Sequence, residues 1–145
     1  MNDEIATAPP KIFYWISGVA LVWNLFGIMA YLGQVTMSPE VLADMPAERR
    51  ALFENVPAWA TSAYAIAVNA GALGCLLLLI RKSLSIPVLA ISFVAVLVQM
   101  AHAFFMTNAI EVLGWSSVVF PLVIMLIAAY LVWFAMDARK KGWIS

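Results

Sequence analysis

Charge is what this sequence has least of. Asp, Glu, Lys and Arg make up 11% of 145 residues, against about 25% in an average soluble domain, and eight bases balance eight acids. Zero net charge supplies no field for a polyanion, so no nucleic-acid partner is expected. A lone cysteine, Cys75, excludes an internal disulfide and is expected to serve as a small apolar packing residue. There is one histidine, His102, and no Asp or Glu lies deep within any long apolar run. Proton-driven pumping therefore lacks its usual groups. No nucleophile–base pair, carboxylate pair, metal-ligand cluster or glycine-rich phosphate loop can be picked out. Neither enzymatic activity nor a metal or cofactor is expected.

What the chain has instead is apolar length. Hydrophobic residues reach 65% and the mean hydropathy is +0.96. Charges divide the sequence into four silent windows, 12–39, 55–80, 83–110 and 112–136. Each exceeds the ~18 uncharged apolar residues that nominate a spanning helix. The expected fold is all-α, a four-helix transmembrane bundle forming one membrane domain over 1–145, with spans at about 12–35, 58–80, 86–107 and 115–136. The first run is too long for a secretory h-region. The acidic Met1-Asn2-Asp3-Glu4 before it replaces the bases such a signal carries, so it is expected to be retained.

Basic residues set the expected orientation. With both termini inside, Lys11, Arg81, Lys82, Arg139, Lys140 and Lys141 lie in the cytoplasm and Arg49 and Arg50 outside. This satisfies the positive-inside rule and places the chain, N-in and C-in, in a bacterial inner membrane. Residues 1–10, ending Pro9-Pro10, read as a short flexible tail. Phe13-Tyr14-Trp15 reads as an inner aromatic anchor, as do Tyr130, Trp133 and Phe134 before the basic tail. The external loop 37–56 carries helix-start signals at Ser38-Pro39-Glu40 and Pro46. Its charged positions, set beside Leu52, Phe53 and Val56, predict a short amphipathic helix at the interface.

Two helices repeat a 3-4 spacing of small and polar residues: Ser17, Ala20, Asn24, Gly27, Tyr31 and Gln34 in the first, and Ser92, Ala95, Gln99, His102 and Met106 in the third. Each series lies on one helix face. The second helix has a stripe of small residues, Ala60, Ala63, Ala67, Ala70, Gly71 and Gly74, with Asn69 and Ser62 nearly opposite. Such stripes let backbones approach closely, so Ala67, Gly71, Gly74 and Gly27 are expected packing positions, and both faces of the second helix are expected to meet protein. The fourth helix has the weakest polar seam and is expected to face lipid most.

Asn24, Asn69 and Gln99 all fall near mid-span on three different helices. An unpaired amide in hydrocarbon costs several kcal/mol, so each must find a partner. Two readings follow: interhelical staples, or a midplane cluster for a neutral polar solute, with Trp23 and His102 beside it. His102 with Met106 gives two ligands for haem or copper, too few to hold either.

The strings Trp23-Asn24-Leu25-Phe26-Gly27-Ile28-Met29-Ala30-Tyr31, Val56-Pro57-Ala58-Trp59-Ala60, Gly71-Ala72-Leu73-Gly74-Cys75-Leu76 and Lys141-Gly142-Trp143-Ile144 carry a likeness. The chain resembles a family of small, uncharacterised four-span bacterial membrane proteins, some labelled automatically as sugar transporters. The resemblance implies a small neutral, sugar-like solute. Where that family has an aromatic residue and a further glycine, this chain has Asn69-Ala70. It also lacks the Pro-Gln dipeptide of the three-span sugar carriers. The expected function is a small-solute transporter or channel acting as a homo-oligomer in the bilayer. The alternative is a non-transporting accessory or assembly subunit of a larger membrane complex.

Overall fold

A computed structural model describes residues 7–145. Seven α-helices follow in order: α1 Lys11–Val35, α2 Pro39–Ala43, α3 Ala47–Glu54, α4 Ala58–Leu79, α5 Ser85–Phe105, α6 Ala109–Leu113 and α7 Val119–Lys140. A 3-10 turn, Trp115–Val118, leads into α7, and no strand occurs among the described residues. Four helices are long and apolar enough to cross a membrane: α1, α4, α5 and the stretch Trp115–Lys140. This is the all-helical, four-span architecture that the charge-free windows predict. Of the N-terminal tail, residues 1–6 lie outside the described residues.

α4 is the helix on which the others are assembled. Its small stripe is buried at Ala60, Ala63, Ala67, Gly71 and Gly74. α1 and α5 both pack on it, and α7 packs on α5. The ring closes through aromatic contacts between α1 and α7. Phe13 stacks on Phe134 with centroids 5.7 Å apart, and Trp23 meets Phe120 at 5.9 Å. In lipid, apolar side chains gain little by leaving the solvent, so close packing and hydrogen bonds hold such helices together. Gly74 illustrates the packing: a Cβ there would lie 2.5 Å from Leu89 Cδ2.

The loop behaves as its sequence signals predict. Ser38 Oγ accepts from the Val41 amide at 3.3 Å to cap α2, and Pro46 precedes α3. At the opposite end, a close-packed cluster includes Phe13, Cys75, Leu78, Leu89, Phe134 and Ile144. Ile144 comes from a tail that folds back over the bundle. Ser83 N–H donates to Ser145 O at 2.9 Å, Ser145 N–H donates to Arg81 O at 3.1 Å, and Arg81 Nε donates to Trp143 O at 2.7 Å. Arg81 also donates to Thr7 O, so three distant segments meet at one residue. Arg81 takes a left-handed backbone, φ 61°, which a non-glycine residue rarely adopts unless its surroundings hold it there.

Several expectations need revision. Phe13 and Phe134 are core residues and not interface anchors; Tyr14, Trp15, Tyr130 and Trp133 are exposed. Consecutive helical residues point about 100° apart, so a run of three aromatics cannot share one face. Residues 139–145 are more than a basic tail, because Ile144 is a core residue. α7 is exposed along much of its loop-side half and buried at Leu131, Phe134, Ala135 and Ala138 in the other. α4 does not meet protein on both faces: Asn69 and Ser62 are exposed.

Candidate binding cleft

At the loop end the helices part around a cleft of about 270 Å³. The polar seams of α1 and α5 place Gln34, Gln99 and His102 in it, and the first turns of α4 add Thr61 and Tyr64. α3 forms one wall, where its apolar face brings Leu52 and Phe53 beside Arg49. The amphipathic segment in the loop therefore turns its apolar side toward the bundle. His102 is buried, its ring perpendicular to that of Trp59 at 5.2 Å. Thr61 and Thr107 satisfy their hydroxyls on the backbone carbonyls four residues before them. The side chains of Gln34, Tyr64, Gln99 and His102 make no hydrogen bond within the described chain.

Beyond the cleft, toward the middle of the bundle, the polar groups are satisfied and the packing is close. Ser92 Oγ donates across helices to Ala67 O at 2.6 Å. Asn24 Nδ2 donates to Ala20 O at 2.9 Å and reaches Cys75 Sγ at 3.6 Å. Its carboxamide lies over the bare Cα of Gly71, where a Cβ would also stand 3.1 Å from Ser92 Oγ. Gly71 is thus the notch in which the polar seams of α1 and α5 meet α4. Gln99 lies seven residues past Ser92, about 10 Å along α5.

The three mid-span amides do not form one cluster. Gln99 faces the cleft, Asn24 sits in the close-packed seam, and Asn69 is exposed, donating to Ala65 O at 2.8 Å. Asn24 and Asn69 both bond the i−4 carbonyl of their own helix, and that bond leaves an amide free to face either way, so mid-span depth alone does not place it inside. Trp23 faces α7 and Phe120. His102 and Met106 do not form a ligand pair, for Met106 is 67% exposed at the end of α5. Gly27 lies against Val68, consistent with a packing position.

Tyr64, Gln34 and Arg49 join the cleft without having been singled out as ligand contacts. Tyr64 could have been found, since Ala60, Tyr64, Ala67, Gly71 and Gly74 continue the 4-3-4-3 spacing of the buried stripe. Arg49 could not, because its place depends on how α3 lies over the bundle. Compared with known protein families, curated proteins and solved structures, the chain matches none.

Proposed function

We propose that this chain binds a small hydrogen-bonding solute in the loop-side cleft and acts as a carrier of a bacterial inner membrane, with the cleft on the outer side. One observation carries the reading. Four polar side chains from three spanning helices, Gln34, Tyr64, Gln99 and His102, converge on one space with no hydrogen bond to the described residues. Polar groups sheltered among helices are costly unless paired, so a polar guest fits this place. A site accessible from one side and closed below by packed helices is also the form that alternating access takes. Assembly of two or more copies would enlarge the small volume that four helices enclose.

The accessory-subunit reading draws on a different observation. Asn24 and Ser92 bind α1, α4 and α5 at Gly71 and Ala67 without intervening space. Such a seam serves rigidity and not passage. Proteoliposome uptake across a panel of neutral sugars and small acids separates the two. Carrier function predicts flux that Gln99→Leu and Tyr64→Phe abolish while thermal unfolding stays unchanged. Solute binding without flux in any lipid composition would leave the accessory role and remove the carrier.

A further inference from the structure

The cleft wall and the loop around it differ in charge. Residues 37–56 carry four acids, Glu40, Asp44, Glu48 and Glu54, and two bases, Arg49 and Arg50, so the loop as a whole does not attract anions. The wall itself has one formal charge, the Arg49 guanidinium, and no carboxylate. Glu48, Arg49 and Glu54 are all exposed at the rim, and of the three only Arg49 lines the cleft. The one ion pair among the described residues joins Lys141 to Asp137 at the opposite end. Arg49 therefore has no carboxylate partner within the described chain. Leu52 and Phe53 present an apolar surface beside it, and Gln99 and His102 add hydrogen-bonding groups from α5.

A guanidinium is a rigid fork of donors matched to a carboxylate or phosphate, and a hydrocarbon body suits the apolar wall. We infer that the ligand is a small amphipathic organic anion, its acidic head paired with Arg49 and its body laid along Leu52 and Phe53. This inference rests on the cleft being a binding site and replaces the neutral solute expected from sequence. A free carboxylic amphiphile and an anionic phospholipid share the head chemistry, and the test separates them.

The full chain in phosphatidylcholine nanodiscs is titrated calorimetrically with octanoate and with octanamide, and heats from empty nanodiscs are subtracted. Octanoate is expected to bind about tenfold more tightly than octanamide, the size of one charge-assisted hydrogen bond. Arg49→Gln removes that preference, Arg50→Gln keeps it, and matched thermal unfolding shows that both variants fold. Loss of octanoate binding when phosphatidylglycerol is added to the nanodisc identifies the lipid head as the source. Unchanged binding identifies a free amphiphile, and either result supports the inference. Equal affinity for the acid and the amide, unaffected by Arg49→Gln, overturns it and leaves the cleft reading standing. Binding of neither octanoate nor phosphatidylglycerol also overturns it; the cleft reading falls as well only if the neutral sugars of the uptake panel fail to bind.

Discussion

The carboxamide of Asn24 occupies the space that any side chain at position 71 would need, so α1 and α4 approach because residue 71 is glycine. The relationship makes the two positions interdependent. Gly71→Ala is expected to destabilise the bundle by about 1–3 kcal/mol through overpacking against Asn24 and Ser92. Asn24→Ala should recover part of that loss in the double variant. Gly18→Ala and Gly33→Ala, where nothing lies within 4 Å of the added methyl, should leave thermal unfolding in detergent unchanged.

Asn24 and Asn69 test what mid-span depth means. Asn69→Leu replaces an exposed amide bonded to its own helix, and unfolding should shift by less than about 0.5 kcal/mol. Asn24→Leu puts a branched side chain into the Gly71 notch and should be strongly destabilising, by the overpacking range above. Parallel thermal scans of the two variants read the difference.

Two hydroxyls give a prediction of opposite sign. Ser17 Oγ and Ser85 Oγ are fully buried without a hydrogen-bond partner among the described residues. Removing a desolvated, unpaired hydroxyl relieves its cost, so Ser17→Ala and Ser85→Ala should be neutral or stabilising by up to about 1 kcal/mol. A clear fall in melting temperature for either would show that the group is satisfied after all.

In the cleft, His102→Phe should keep the edge contact with Trp59 and lose the imidazole nitrogens. Folding is expected to survive while ligand affinity falls by about threefold to tenfold, the range of one neutral hydrogen bond. Calorimetry on the variant beside Gln99→Leu measures it.

The tail supplies the last test. Ile144→Ala empties a core position packed among Phe13, Leu78 and Phe134 and should cost about 2–5 kcal/mol. It should also open the Arg139–Lys141 stretch to trypsin, which limited proteolysis detects.

Spans were legible because charges are so few that their positions alone divide the chain. The inward faces of α1 and α5 were legible too, since a 3-4 series of small and polar residues leaves one face unsuited to hydrocarbon. That logic located Asn24, Gln99 and His102 and failed at Asn69, which lies off the small-residue stripe of α4 and bonds only its own helix. It also failed at Met106, which continues the seam's spacing past the point where α5 ends. The cleft was only half legible. Its α1 and α5 walls follow from periodicity, whereas the Arg49 side depends on the tertiary placement of an eight-residue helix. Ile144 was hidden because short apolar residues beside lysines resemble a solvated end.

The hydrogen bond from Arg81 to Trp143 joins residues 62 positions apart. During synthesis the hairpin of α4 and α5 therefore leaves the ribosome well before the segment that braces its bend. Until α7 has been inserted and residues 143–145 have arrived, the left-handed conformation at Arg81 is held by the local bonds of Arg81 N–H to Leu78 O and Lys82 N–H to Leu77 O, without the tail's contacts. Early intermediates will carry the turn without its brace, and the tail locks it last, as a clasp closed after both straps are threaded.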